Sequence, residues 1–288
     1  MKKSASDRIF DAVNITILGL IALLTFFPIY YVFVVSFTDP TEFLQKKFIL
    51  FPEHWSLDSY KYLLGTKAFL GSIGNSAYLA IVGTLLSLVV TAALAYAISR
   101  RRLPGRKMFA LMILLTILFS PGIIPNYLLV RDMNLINNTW SLILPALASG
   151  WNVILMRSFF SGIPAELEES AAIDGCNDIT TFFRIILPLS LPSLAAFGLF
   201  YAVGYWNSYF SALLYLNDAD KWPIQVLLQN MLQNAQNSDL GQDAFVAAPP
   251  AETLKMAAVV VATIPILCVY PFLQKHFAKG SMVGSVKG

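Results

Sequence analysis

Six stretches of this 288-residue sequence contain no Asp, Glu, Lys or Arg: 12–38, 68–99, 108–130, 133–156, 185–217 and 256–274. The shortest holds 19 residues and the longest 33. A charge at the centre of a bilayer costs on the order of 3 kcal/mol, and a spanning helix needs about 20 apolar residues. Each stretch therefore has room for one span, and none has room for two with a turn between. Composition agrees, with 57% hydrophobic and 13% charged residues against about a quarter charged in soluble domains. A soluble core of this length cannot hide that much apolar surface. The expected fold class is all-α, a polytopic membrane protein with six transmembrane helices. An ordinary soluble enzyme, a disordered chain and a disulfide scaffold are excluded. A further uncharged stretch, 222–238, is rich in Gln and Asn, including Gln225, Gln229, Asn230 and Gln233. It reads as a surface or interfacial segment.

Six spans put both termini on one side, together with loops 99–107 and 157–184. That side collects 13 of the 20 Lys and Arg residues, and the side richer in Lys and Arg is cytoplasmic. The run Arg100–Lys107 (RRRLPGRK) sits between two spans and reads as a topology anchor. A net charge of +3 is too small to argue for nucleic acid. Lys2, Lys3 and Arg8 precede an apolar run too long for a signal peptide, so an uncleaved first span is expected. Cys176 and Cys268 stand 92 residues apart without a CxxC pattern and are expected to be unpaired. His54 and His276 are isolated, so they build no metal cluster.

The inner loop 161–192 reads SGIPAELEESAAIDGCNDITTFFRIILPLSLP. Pro164 suits the first turn of a helix, and Glu166, Glu168 and Glu169 favour its positive end. Gly175 stands where a left-handed C-terminal turn is needed. Asn177 or Asp178 can cap a second short helix, ended by Pro188 and Pro192. Two short helices joined at Asp174-Gly175 are expected on the cytoplasmic face. Their small-residue surface, flanked by carboxylates, suits a groove on another protein.

Glu169 and Ala171 are followed by Gly175, and Ile185, Leu187 and Pro188 lie ten, twelve and thirteen residues beyond that glycine. This spacing resembles the EAA motif of the permease subunits of ABC importers, between the fourth and fifth of six spans. Ser170 departs from the motif's first Ala, and Cys176 takes a position more often held by Ala. The ending KGSMVGSVKG, residues 279–288, is similar to the tail of carbohydrate-type permeases, the subgroup of the MalG and LplC subunits. The resemblance implies a MetI-like permease fold in the cell membrane, with ATPase coupling through Glu169, Ser170, Ala171, Ala172, Asp174, Gly175, Ile185, Leu187 and Pro188. Glu169 would make the ionic contact. It also implies partners: a second permease subunit, two ATPase subunits holding ATP and Mg, and an extracytoplasmic solute-binding protein. Residues 1–70 would form the first span and an external loop, 71–277 the core permease domain and 278–288 a cytoplasmic tail.

The chain has no Gly-rich P-loop of its own and no set of intramembrane acids or histidines for ion coupling. No cofactor is expected on it, and it is not expected to be an enzyme. Within the fifth stretch, Tyr205, Trp206 and Asn207 are candidate contacts for a sugar: aromatic faces stack on sugar rings and an amide bonds hydroxyls. The same aromatic residues also fit an interfacial belt. The outer segments 39–67 and 218–255 are long enough to touch an external receptor or serve as solvated connections. Two alternatives stay open: a permease of this kind for peptide, amino acid or ion, and a membrane scaffold that recruits a cytoplasmic partner.

Overall fold

Backbone N–H and C=O groups in an apolar solvent must satisfy one another within the chain, and helices do this locally. The computed structural model describes residues 5–46, 48–237 and 251–284, and its regular elements are helical. An isolated bridge pairs Thr38 with Trp55. In chain order the helices are α1 (Ala5–Ser36), α2 (Pro40–Gln45), α3 (Asp58–Gly65) and α4 (Lys67–Tyr78). A π-turn, Leu79–Gly83, joins α4 to α5 (Thr84–Ser99). Then come α6 (Arg106–Leu118), α7 (Ile123–Asp132), α8 (Trp140–Ile143), α9 (Gly150–Ser161), α10 (Ala165–Ile173) and α11 (Asp178–Thr181). A second π-turn, Phe182–Ile186, leads into α12 (Leu187–Leu189), α13 (Leu191–Trp206), α14 (Phe210–Tyr215), α15 (Ile224–Asn237) and α16 (Ala251–Gly284).

Among the described residues two continuous helices are long and apolar enough to cross a membrane, Ile9–Ser36 and Lys67–Ser99. The third, fourth and fifth uncharged stretches fall on bent pairs instead. Arg106–Leu118 meets Ile123–Asp132 at 115°, Trp140–Ala146 meets Gly150–Ser161 at 49°, and Asp178–Leu189 meets Leu191–Trp206 at 82°. Counting each pair as one span gives up to five among the described residues. The sixth stretch, 256–274, lies on α16, whose side chains beyond Cys268 are outside the described residues, as is the tail after Gly284.

The bends have local causes. Pro121 precedes Gly122, whose φ of +85° favours a residue without Cβ. At Gly150 an added Cβ would come within 2.8 Å of Thr116 Oγ1 and 2.9 Å of Ile117 Cγ1, so the missing side chain lets α9 approach α6. Pro188 lies in the last turn of the helical run Asp178–Leu189, which stops just after it as expected, and Pro192 takes a first-turn position of α13, where a proline ring is tolerated. The break falls at Ser190 between them.

The chain forms two compact units, Met1–Lys67 with Leu228–Thr263, and Ala68–Leu227 with Ile264–Gly288. In the first, Val34, Val35, Ile49, Leu63 and Ala257 are buried, while α1 exposes large apolar residues from Ile9 to Phe33. The Glu42 carboxylate accepts backbone N–H bonds from Glu53 (3.0 and 3.1 Å) and His54 (2.9 Å). Those bonds hold its carboxyl below the usual carboxylate range. Apolar clusters fill the described part of the second unit. One contains Leu79, Ile143, Tyr201 and Tyr205, and another Ala95, Met156, Phe160 and Ile186.

Candidate functional site

The loop 161–192 folds as two short helices around a glycine bend. Pro164 stands at the N-cap of α10, one position before the first helical residue, and Glu166 and Glu168 occupy the first turn. At the other end Gly175 has φ +80°. Its N–H donates to the Ala172 carbonyl (3.1 Å) and the Cys176 N–H donates to the Ala171 carbonyl (2.9 Å). These two bonds make a Schellman motif, which satisfies carbonyls that the helix end leaves open. Asn177 caps α11, its side chain accepting from the Thr180 N–H at 2.8 Å.

Glu169, Ser170, Ala172, Asp174 and Gly175 lie on the exposed side of this loop, and Ala171 is buried. Ile173 is 86% exposed, with Ile179 and Phe183 also open. Ile185 and Leu187 are half-buried and Pro188 is exposed. The loop thus presents apolar side chains beside carboxylates, the chemistry of a helix that enters a groove with a basic rim.

Arg100, the C-cap of α5, forms an ion pair with Glu168 of α10. The same guanidinium donates through Nη2 to the Phe160 carbonyl of α9 (3.0 Å) and through Nε to Ser99 Oγ (2.8 Å). It also lies 4.7 Å above the Tyr96 ring. The two charged side chains are only 12% and 16% exposed. Burial pulls the arginine pKa below its ordinary value, although a guanidinium stays charged in proteins. A second pair, Arg102 with Asp178, joins the same turn to α11 but is largely exposed. Beside these pairs an apolar groove of about 770 Å³ runs along α5, lined by Ala92, Tyr96, Leu103, Phe182 and Phe183.

The candidate sugar contacts separate in space. Tyr205 is buried; its hydroxyl shares a 2.9 Å bond with Ser87 Oγ, and an added Cβ on Gly83 would stand 2.7 Å from its ring. Tyr201 makes a parallel bond to Thr91 Oγ1 at 2.7 Å. Trp206 is buried and lines a small apolar pocket with Ala80, Leu199 and Pro265. Asn207 is exposed at the end of α13, and its Oδ1 accepts from Gln225 Nε2 at 3.1 Å. Gln225 was visible in the sequence only as one of many amides. Nothing in its spacing joined it to Asn207.

Residues 108–282 match the family described as the binding-protein-dependent transport system inner membrane component. The chain belongs to this family. The match runs from α6 into α16 and includes the whole loop 161–192. As a member of this inner-membrane transport family the chain is a multi-pass transport component and not an enzyme. Among its relatives is the polygalacturonan/rhamnogalacturonan transport system permease protein YtcP of Bacillus subtilis, 46% identical over 98% of this chain and 99% of that one. Protein LplC of the same organism is 45% identical over 100% of this chain and 98% of its own. A crystal structure of a bacterial ABC transporter involved in import of the acidic polysaccharide alginate contains a chain that superposes with a TM-score of 0.89. That chain is 34% identical, with 96% of this chain and 99% of that chain covered.

Proposed function

We propose that this permease is one of two membrane subunits of an ATP-driven importer for oligosaccharides cut from acidic polysaccharides. The carrying observation is the exposed α10 helix with its Gly175 bend, in a chain 46% identical over nearly its full length to a polygalacturonan/rhamnogalacturonan permease. Six spans with both termini in the cytoplasm, in the bacterial cell membrane, complete the reading, supported by the distribution of Lys and Arg. A second permease would supply the other half of the pathway, and an extracytoplasmic binding protein would deliver the sugar.

Two ATPase subunits, holding ATP and Mg, would seat α10 in a surface groove. Glu169 meets a cation there, Ala171 and Ala172 allow close approach together with Ser170, and Asp174 and Gly175 set the bend. Ile185, Leu187 and Pro188 carry the displacement into α13. ATP-driven closure brings the two permease loops together and turns the cavity outward; hydrolysis returns it inward. This chain binds no cofactor of its own. Its uncharged pathway meets the sugar through amides, with Asn207 beside Gln225 at the open end of α13 and Tyr205 and Trp206 shaping the wall behind.

The test is uptake into proteoliposomes that hold both permeases, the ATPase subunits and the binding protein. ATP-dependent accumulation of labelled oligogalacturonides is expected. Accumulation of a peptide or amino acid instead, or of nothing, would overturn the substrate class.

A further inference from the structure

Arg100 touches three helices at once. It caps α5, donates to the last turn of α9 through the Phe160 carbonyl, and pairs with Glu168 in the first turn of α10. The Phe160 contact sets a cation at a helix C-terminus, and the Glu168 contact sets an anion at a helix N-terminus, so both helix dipoles favour the arrangement. With both partners little exposed, the pair is weakly screened, and the Tyr96 ring lies beneath the guanidinium. By contrast the Arg102–Asp178 pair is more than half exposed on both sides, and pairs of that kind hold little.

We infer that Arg100 is a positioning residue that locks α10 to the ends of α5 and α9, so that a push on the loop moves these helices as one body. The inference rests on the coupling role of α10 and names the link by which that role reaches the membrane helices. Without the link, α10 hangs from α9 by residues 162–164 and from α11 by the Gly175 bend. It then tilts alone when the ATPase closes.

The experiment uses the assembled complex, with spin labels on cysteines placed at Ala165 of α10 and Leu94 of α5 and the native Cys176 and Cys268 replaced by serine. Distances are measured without nucleotide and after trapping with Mg-ATP and vanadate. The distance is expected to stay unchanged between the two states when Arg100 and Glu168 are native. In Arg100→Ala and in Glu168→Gln it is expected to shift or broaden on trapping. The same two variants are expected to keep their ATPase subunits and to hydrolyse ATP, while labelled trigalacturonate uptake per ATP falls about tenfold. The double variant is expected to be no worse than Arg100→Ala, since both changes break one contact. Arg102→Ala is expected to stay within about twofold of the native ratio.

Glu168→Gln keeps the side chain's shape, so it decides the matter should Arg100→Ala fail to assemble. A native complex whose label distance changes on trapping would overturn the inference, as would single variants with native distance and native uptake per ATP. A double variant that multiplies the two losses would also overturn it. Because the distance readout needs no sugar, failure of the assigned substrate class leaves this test readable.

Discussion

At Gly175 the backbone turns into the left-handed region, where an L side chain costs about 1–2 kcal/mol. Nothing lies within 4 Å of an added Cβ there, so the cost of Gly175→Leu is conformational and confined to the bend. The variant is expected to insert and assemble its membrane part but to retain less ATPase on purification, measured as the subunit ratio. Gly83 is the opposite case. Its φ is ordinary, but an added methyl meets the Tyr205 ring, which is buried. Gly83→Ala is expected to cost about 1–3 kcal/mol by overpacking. Tyr205→Phe, which gives up the Ser87 bond and a long 3.5 Å bond to the Ile143 carbonyl, is expected to cost about 0.6 kcal/mol. Thermal midpoints in detergent rank the two, and a Tyr205→Phe loss equal to that of Gly83→Ala would contradict the packing argument. Gly175 was legible in sequence because its place after an acidic, alanine-rich helix demands a left-handed residue. The Arg100–Glu168 pair was not, since the two residues stand far apart and each already had a local explanation.

Among the elements, the uncharged stretches located the apolar helices but said nothing of their bends. Charge measures how much lipid a segment tolerates, whereas a break depends on Pro121-Gly122 or on the space opposite Gly150. The short helices of segment 39–67 were equally hidden. There α2 is held by Glu42, whose carboxylate gathers the N–H groups of Glu53 and His54, with Lys46 beside it. Its folded pKa lies below the ordinary value, chiefly through the Glu53 and His54 bonds. The stabilisation is therefore complete above the ordinary carboxylate range and is lost as pH falls through the lowered value. Limited proteolysis of 46–56 is expected to accelerate only in acid. Glu42→Gln is expected to show that susceptibility at neutral pH, and equal protection of the two proteins there would contradict the assignment.

For the whole molecule, the family and the all-helical class were readable because they depend on composition and on one spaced motif. The span count depends on geometry that composition does not carry, which is why three of the six stretches turned out to be bent pairs. Reporter fusions at both ends are expected to place each terminus in the cytoplasm; a C-terminal fusion active outside the membrane would remove the six-span reading. The central claim, that α10 is where the ATPase drives this permease, is tested most directly by Glu169→Lys in the reconstituted complex. Sugar uptake and ATP hydrolysis are measured together in the same vesicles. The expected result is a complex present in the membrane whose ATP-dependent oligogalacturonide uptake is abolished. Native uptake by the Glu169→Lys complex would contradict it.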